Sequence, residues 1–156
     1  MSNLPYYEQK DIENIQKLRT MLKELPPFCT EYFRGIEPRT STRTRIAYAY
    51  DLSVFFDFLK KENPVFSKMD RMDFRLEHLD QLTVTDLEEY MEYLKYRFNE
   101  NNKEVINKER GIMRKISSLK SFYNYFFRVE KIKTNPAALV RLPKLHDKEI
   151  IRLDID

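Results

Sequence analysis

Apolar residues recur along this chain at steps of three and four, the spacing that places them on one side of an α-helix. Helices are predicted over residues 6–25, 44–60, 83–99 and 107–127. A proline pair directly after residue 25 ends the first of them, because proline cannot donate a backbone hydrogen bond inside a helix. No segment alternates strictly between apolar and polar positions, so the predicted fold class is all-α without a sheet.

The segments between these helices carry the signals of connectors. Residues 28–42 contain a glycine and a proline and are predicted to be a connector. Residues 63–80 are charged and mixed, which predicts a loop with at most a helical turn. A polar break covers residues 99–102, and residues 137–142 form a short final helix.

The second helix is apolar on two sides, which is typical of a helix that is buried on both. Its main core stripe consists of Tyr48, Leu52, Phe55, Phe56 and Leu59. A second stripe lies on the far side and consists of Tyr50, Val54 and Phe58. We expect this second stripe to pack against the first helix within the same chain; the alternative is that it contacts a neighbouring protomer.

The third helix has a clear start signal. Thr83 is the predicted N-cap and Asp86 its partner three residues later, with Leu82 and Leu87 spaced as a hydrophobic staple. The outward positions of this helix are acidic: Glu88, Glu89 and Glu92. An acidic surface is unsuited to lie on phosphate.

The fourth helix has the sharpest division of faces in the chain. One side carries an apolar stripe made of Ile112, Ile116, Leu119, Tyr123 and Phe126. The other side is polar and carries Arg110, Arg114, Ser117, Ser118 and Ser121. This face is either an ordinary solvated surface or a surface for an anionic partner.

Two stretches of sequence resemble the N-terminal core-binding, SAM-like domain of the tyrosine recombinase (phage integrase) family. The first stretch has Thr44, Tyr48, Asp51-Leu52 and Phe55 at the spacing of the family's opening pattern. The second has Arg114, then Ile-Ser-Ser-Leu-Lys-Ser-Phe-Tyr over residues 116–123, then Asn135-Pro136-Ala137 and Pro143-Lys144. The resemblance covers roughly residues 40–144.

The resemblance implies an orthogonal bundle of four main helices plus a short C-terminal helix, with an extra N-terminal helix. It divides the chain into an N-terminal helix and connector over residues 1–37, a core-binding domain over 38–143 and a linker toward a catalytic domain over 144–156. In the family this domain forms half of a clamp around duplex DNA. Neighbouring recombinase protomers in a tetrameric synapse are the further partners that it implies.

The distribution of charge along the chain supports a DNA partner more strongly than the total charge does. The net charge of the 156 residues is only +3. Residues 101–128 hold seven Lys/Arg and two Glu, while residues 60–100 hold seven Lys/Arg and ten Asp/Glu. A basic element therefore follows an acidic one, and the basic element is the fourth helix.

Candidate DNA contacts lie at the start of the second helix and along the fourth, the two helices that approach DNA in the family. We expect phosphate contacts from Lys, Arg, Ser and Thr, and base contacts from Arg114 or Arg110. The candidates are Arg39, Thr42, Arg43, Thr44, Arg45, Lys108, Arg110, Arg114, Lys115, Ser117, Ser118, Lys120 and Ser121.

Catalytic chemistry is not expected in this chain. Neither His78 nor His146 begins the His-x-x-Arg of the recombinase active site, and 13 residues after Pro143 are too few for another domain. No tyrosine has a cluster of activating residues around it in the sequence. No catalytic residue is therefore assigned to this chain.

Cofactor, metal and membrane sites are not expected either. A single cysteine, Cys29, and two distant histidines do not suggest a metal site, and two glycines do not make a phosphate loop. No apolar run reaches membrane-spanning length and no signal peptide begins the chain, so the expected location is cytoplasmic.

Three functions remain open at this point. The first is DNA binding by the core-binding domain of a site-specific recombinase, with the isolated chain monomeric. The second is a helical protein-interaction module, and the third is a stand-alone, non-catalytic regulator that occupies recombination sites.

Overall fold

A computed structural model describes residues 5–144 of the chain. The α-helices are α1 (Tyr6–Leu22), α2 (Phe28–Ile36), α3 (Thr42–Glu62), α4 (Leu76–Leu79), α5 (Val84–Lys95) and α6 (Glu109–Arg128). Short 3₁₀ turns occupy Glu37–Arg39, Phe66–Lys68, Arg71–Asp73 and Pro136–Leu139. Strands β1 (Arg97–Phe98) and β2 (Glu104–Val105) form an antiparallel hairpin. The prediction of an all-α fold is confirmed.

The hairpin corrects the expectation that the chain contains no sheet. Helix α5 ends at Lys95, four residues earlier than predicted, and the chain then pairs Arg97 with Val105. The hairpin turns at Asn102, which has a left-handed φ of 59°. The amide oxygen of Asn99 accepts hydrogen bonds from the two backbone N–H groups of residues 101 and 103 at 2.9 and 3.0 Å. Asparagine suits both roles because it tolerates this conformation and bonds nearby backbone.

Helix α2 corrects the prediction that residues 28–42 are a connector. Cys29, Tyr32 and Phe33 follow helical spacing and are buried. Their burial stabilises a short helix between the proline pair and Pro38, although both of its ends carry residues that usually mark loops. Burial also raises the pKa of the Cys29 thiol far above its ordinary value.

Aromatic rings from α2, α3 and α6 form the centre of the core. Phe122 of α6 packs edge-to-face against Tyr32 and Phe126, with ring centroids 5.1 and 5.2 Å apart. Phe56 of α3 completes the contact at 6.2 Å from Phe122. These edge-to-face contacts align the positive edge of one ring with the negative face of another, which adds to the hydrophobic burial.

Helix α1 packs along α3, but not on the stripe that was expected to receive it. Phe58 of that stripe lies 5.2 and 5.0 Å from the rings of Tyr90 and Tyr93 on α5. Helix α1 instead meets the start of α3, where Thr42 Oγ1 donates to Asp11 Oδ1 at 2.7 Å. Intrachain packing of the first helix is therefore confirmed, while the predicted partner stripe is wrong.

The predicted capping box at the start of α5 is present. The Thr83 N–H donates to Asp86 Oδ2 at 2.8 Å, and the Asp86 N–H donates to Thr83 Oγ1 at 3.2 Å. Leu82 and Leu87 are both buried beside it. The other boundaries differ by small amounts: the predicted loop over 63–80 contains the single turn α4, and the final helix is a 3₁₀ turn. The expected linker over 144–156 lies outside the described residues except for residue 144.

Candidate nucleic-acid interface

Helix α6 places an uninterrupted polar stripe on the surface of the bundle. Ile116, Leu119 and Phe122 bury its opposite side. The stripe follows steps of three and four residues through Arg110, Arg114, Ser117, Ser121, Asn124 and Arg128. All of them are exposed except Ser121, which is half-buried. Between Arg110 and Arg128 the helix contains neither Asp nor Glu.

The start of α3 is the second predicted contact element. Ser41 caps this helix, because its Oγ accepts the Thr44 N–H at 3.1 Å. Arg39 and Arg43 are exposed at this end and Thr44 is half-buried.

A buried carboxylate lies beneath the polar stripe. Asp51 of α3 accepts a hydrogen bond from Ser118 Oγ at 2.6 Å. Both terminal nitrogens of Arg114 reach the same carboxylate, at 3.2 and 3.3 Å, and Lys115 Nζ lies 3.5 Å from it. One of these Arg114 contacts is a hydrogen bond, from Nη1 to Asp51 Oδ2, and the other is an ion pair, so Asp51 holds the guanidinium beside α3.

Lys115 and Ser118 are part of the protein interior, which corrects their assignment as DNA contacts. Both are 4% exposed. Burial lowers the pKa of Lys115, while Asp51 partly opposes that shift. Lys115 Nζ also lies 5.1 Å from the ring centroid of Tyr50, a cation–π contact. Burial, and secondly the Asp51 charge, raise the pKa of neighbouring Tyr90 as well.

Arg45 and Thr42 are also turned inward, although both were candidates for DNA. Arg45 Nη1 donates to the carbonyl oxygens of Glu37 and Thr40 at 3.0 and 2.6 Å, and to Thr40 Oγ1 at 3.1 Å. Its function is to hold the 37–39 turn against α3. Thr42 is buried by its bond to Asp11 on α1.

Lys120 and Ser121 make structural bonds on the flank of α6. Lys120 Nζ donates to the carbonyl oxygens of Ala137 and Val140 at 2.8 and 2.6 Å, so it holds the 136–139 turn. Partial burial lowers the pKa of Lys120. The Ser121 and Tyr32 hydroxyls lie 2.8 Å apart in one hydrogen bond. Burial raises the pKa of Tyr32 to about 12, despite this bond.

The candidates that stay accessible lie along α6 and at the start of α3. They are Arg39, Arg43, Thr44, Lys108, Arg110, Arg114 and Ser117. Arg39 lies beside the C-terminal half of α6 and Lys108 precedes its first turn. Eighteen residues separate Arg110 from Arg128, which is about 27 Å along the helix axis at 1.5 Å per residue.

Acidic side chains lie on a different helix. Glu88, Glu89 and Glu92 of α5 are exposed, as their spacing predicted. The exposed face of α5 is therefore acidic, while the stripe of α6 from Arg110 to Arg128 carries cations and no carboxylate. Such a division directs an anionic partner to one side of the bundle.

Several curated relatives of the chain are tyrosine recombinases with the name XerC. The chain is 36% identical over 138 residues to the tyrosine recombinase XerC of Caldanaerobacter subterraneus subsp. tengcongensis, a match that covers 84% of this chain and 38% of that protein. The XerC of Lacticaseibacillus casei is 40% identical over 111 residues, 71% of this chain and 31% of the relative. The XerC of Chlorobaculum tepidum is 31% identical over 142 residues, 91% of this chain and 35% of the relative. This chain belongs to the tyrosine recombinase family.

The chain spans about a third of the length of these tyrosine recombinases and aligns with their N-terminal part. No protein-family model matches the chain, and no solved structure matches it significantly. Within residues 5–144, no helix has the length and apolar content to cross a membrane. That same range contains no cluster of His, Cys, Asp and Glu suited to a metal ion.

The positions that carry the tyrosine recombinase resemblance include one contact network. Asp51 comes from the first matching stretch, while Arg114 and Ser118 come from the second. The buried carboxylate joins the two stretches across α3 and α6. The resemblance therefore rests partly on residues that fix these two helices together.

Three residues of the accessible surface were missed by sequence reasoning. Asn124 and Arg128 continue the α6 stripe beyond Ser121, and Tyr48 faces them from α3. The signal for the first two was present, because the same steps of three and four extend to the end of the helix. Tyr48 was assigned to the core stripe, but it is only half-buried.

Proposed function

We propose that this chain binds duplex DNA as the N-terminal, non-catalytic part of a tyrosine recombinase, with the polar stripe of α6 against the duplex. One observation carries the proposal: from Arg110 to Arg128 the exposed side of α6 presents cations, hydroxyls and an amide and no carboxylate. These are the groups that contact phosphates and base edges. Glu89 and Glu92 of the acidic α5 line a separate groove, beside Glu62 of α3.

The length of the stripe suits a helix that crosses a groove. The stripe is about 27 Å long, and the major groove of B-DNA is about 12 Å wide. The middle of the helix, around Ser117, then faces base edges while its ends lie at the phosphate backbones. Lys108 and Arg110 contact phosphates at one end, and the start of α3, with Arg43 and Thr44, contributes near the other.

Arg114 contacts phosphate in this arrangement instead of reading a guanine. Its two terminal nitrogens lie 3.2 and 3.3 Å from the Asp51 oxygens, so this carboxylate competes with a guanine for the same donors. The remaining N–H groups point away from the carboxylate. Lys115 adds a second positive charge beside Asp51, so the cluster keeps a net charge of about +1 under the DNA.

Catalysis and assembly belong to other parts of the recombination reaction. We propose that the chain forms one half of a clamp around the duplex, and that a separate catalytic domain forms the other half. The sequence has neither the His-x-x-Arg nor an activated tyrosine, so the 156-residue chain alone does not cleave DNA. Neighbouring protomers on the same DNA are the protein partners.

Duplex binding at two salt concentrations tests this proposal. Fluorescence anisotropy with a duplex of about 30 base pairs, roughly three helical turns, at about 50 and 200 mM salt gives the slope of log K against log salt. We expect Arg114→Gln to lower that slope by about 0.9 in magnitude, the effect of one lost phosphate contact. The loss in affinity is expected to be similar on every sequence, because phosphate carries no sequence information.

Glu88→Gln is the control, since Glu88 is exposed on the acidic helix and its loss should leave the slope unchanged. Circular dichroism verifies that each variant is folded. Salt-independent binding by the parent, or parental binding by a folded Arg114→Gln, would contradict the proposed function. If the chain instead forms a stable complex with another protein, and salt does not weaken that complex, the chain is a protein-interaction module.

A further inference from the structure

A groove lies at the C-terminal end of the α6 stripe, between this helix, the start of α3 and the 37–39 turn. Its volume is about 680 Å³. Both aromatic and polar side chains line it. The lining residues that matter here are Gly35, Arg39, Tyr48, Asn124, Tyr125 and Arg128.

The charge of this groove has one sign. Arg39 and Arg128 are exposed on it, and the described residues that line it include neither Asp nor Glu. A second groove, between α3 and α5, has the opposite character, because Glu62, Glu89 and Glu92 line it. The positive groove is therefore suited to an anion.

The position of the Arg128 guanidinium depends on a glycine. The Tyr125 ring lies so close to α2 that a Cβ at Gly35 would be 2.5 Å from its hydroxyl oxygen. Only a residue without a side chain permits that approach. The guanidinium of Arg128 in turn lies 5.7 Å from the centroid of the Tyr125 ring. This cation–π contact holds it at the mouth of the groove.

Asn124 is oriented as a donor at the same place. Its Oδ1 accepts a hydrogen bond from Asn135 Nδ2 at 2.8 Å. That bond occupies the amide oxygen, so the two N–H groups of the Asn124 amide remain for a ligand. Two guanidinium groups and an amide that donates hydrogen bonds are the groups that bind a phosphate oxygen.

We propose that this groove binds a phosphate of the DNA backbone, held by Arg39, Arg128 and Asn124. The inference rests on the proposed function and adds a contact at the end of α6 that lies opposite Lys108. The groove continues the exposed stripe of Ser117 and Asn124 without interruption, so a duplex on that stripe brings a backbone to its mouth. Arg39 and Arg128 thus define how far the contact with DNA extends.

A double substitution tests the groove against a control of equal charge. The variant Arg39→Gln with Arg128→Gln removes both cations, while Lys17→Gln with Lys95→Gln removes two exposed cations from α1 and α5. Each pair is measured on the same 30-base-pair duplex used for Arg114. We expect the groove pair to lower the magnitude of the salt slope by about 0.9 to 1.8, one or two phosphate contacts, and the control pair to leave it unchanged.

A charge-conserving pair separates phosphate binding from structural damage. Arg39→Lys with Arg128→Lys keeps both charges, so the salt slope should return to within about 0.5 of the parental value. The proposal would be overturned if the Gln and Lys double variants lower the salt slope equally. It would also be overturned if the Gln double variant keeps the parental slope. If Arg114→Gln weakens binding while the groove pair does not, the groove assignment alone fails. If the parent protein does not bind duplex DNA, the proposed function itself is contradicted.

Discussion

Cations of two kinds lie within a few residues of each other on α3 and α6. Arg43 and Arg114 are exposed, while their neighbours Arg45 and Lys115 are 7% and 4% exposed. The buried pair makes bonds to protein groups: carbonyl oxygens for Arg45 and the Asp51 carboxylate for Lys115. A step of one or two residues on a helix thus separates a cation available to DNA from one that holds the bundle together.

The two kinds should respond differently to substitution. A buried charge is costly unless it is paired, so the loss of its partner leaves a large uncompensated penalty. An exposed charge costs little to remove, yet each one that contacts phosphate contributes to the salt dependence of DNA binding. The free energy of unfolding therefore reports on the buried cations, and the salt slope of DNA binding reports on the exposed ones.

The largest effect on stability is expected at Asp51. Asp51→Asn leaves Lys115 buried without a carboxylate, so the free energy of unfolding should fall by about 3–5 kcal/mol, the usual effect of breaking a buried ion pair. Urea denaturation of parent and variant measures the difference. The matched control is Glu88→Gln, which should stay within about 0.5 kcal/mol because this side chain is exposed. A loss below about 1 kcal/mol at Asp51 would contradict the structural role of the cluster.

An intermediate effect is expected at Arg45. Arg45→Gln removes charged hydrogen bonds to Glu37 and Thr40 and should lower the free energy of unfolding by about 1.5–3 kcal/mol. The salt slope of DNA binding should change by less than about 0.5, since a buried guanidinium does not reach phosphate. Denaturation and anisotropy on the same variant distinguish the two roles. If the variant keeps the parental stability but has a lower salt slope, Arg45 contacts DNA and its structural role is contradicted.

The smallest effect on stability is expected at Arg43. Arg43→Gln should change the free energy of unfolding by less than about 0.5 kcal/mol, because this side chain is exposed. We expect its effect in the DNA-binding measurement, where the magnitude of the salt slope should fall by about 0.9. If instead the variant unfolds more easily and keeps the parental slope, the comparison between exposed and buried cations breaks down at this position.

Helical spacing contained much of this information. Arg45 precedes buried Ala49 by four residues and buried Leu52 by seven, which places all three on one face of α3. Lys115 precedes Phe122 by seven residues in the same way. Charge predicted a surface position for both cations, whereas periodicity indicated the interior. Periodicity was the better guide, because a buried partner offsets the cost of burying charge.

Elements with few residues were harder to predict. The strands of the hairpin have two residues each, too short for an alternating pattern to appear. The helical spacing of Cys29, Tyr32 and Phe33 was visible, but the nearby glycine and prolines favoured a connector. By contrast, the start of α5 was predicted correctly, since its signal is local and lies within four residues, from Thr83 to Asp86.

The positive groove could not be predicted from the sequence. Arg39 and Arg128 are 89 positions apart, and only the packing of α2, α3 and α6 brings both to one groove. Its shape further depends on the contact between Gly35 and Tyr125, two residues from different helices. Contacts of this kind depend on tertiary packing, which neither composition nor periodicity predicts.

The inertness of Cys29 makes the chain convenient for site-directed labelling. Cys29 is the single cysteine of the sequence, and its side chain is fully buried with a thiol pKa raised by burial. Thiol reagents attack the thiolate, so they should leave this position unmodified in the folded protein. A cysteine introduced at Ile106, before α6, or at Val129, directly after it, would then carry a single fluorophore. Energy transfer to a dye on the duplex would show which end of α6 lies nearer to each end of the DNA.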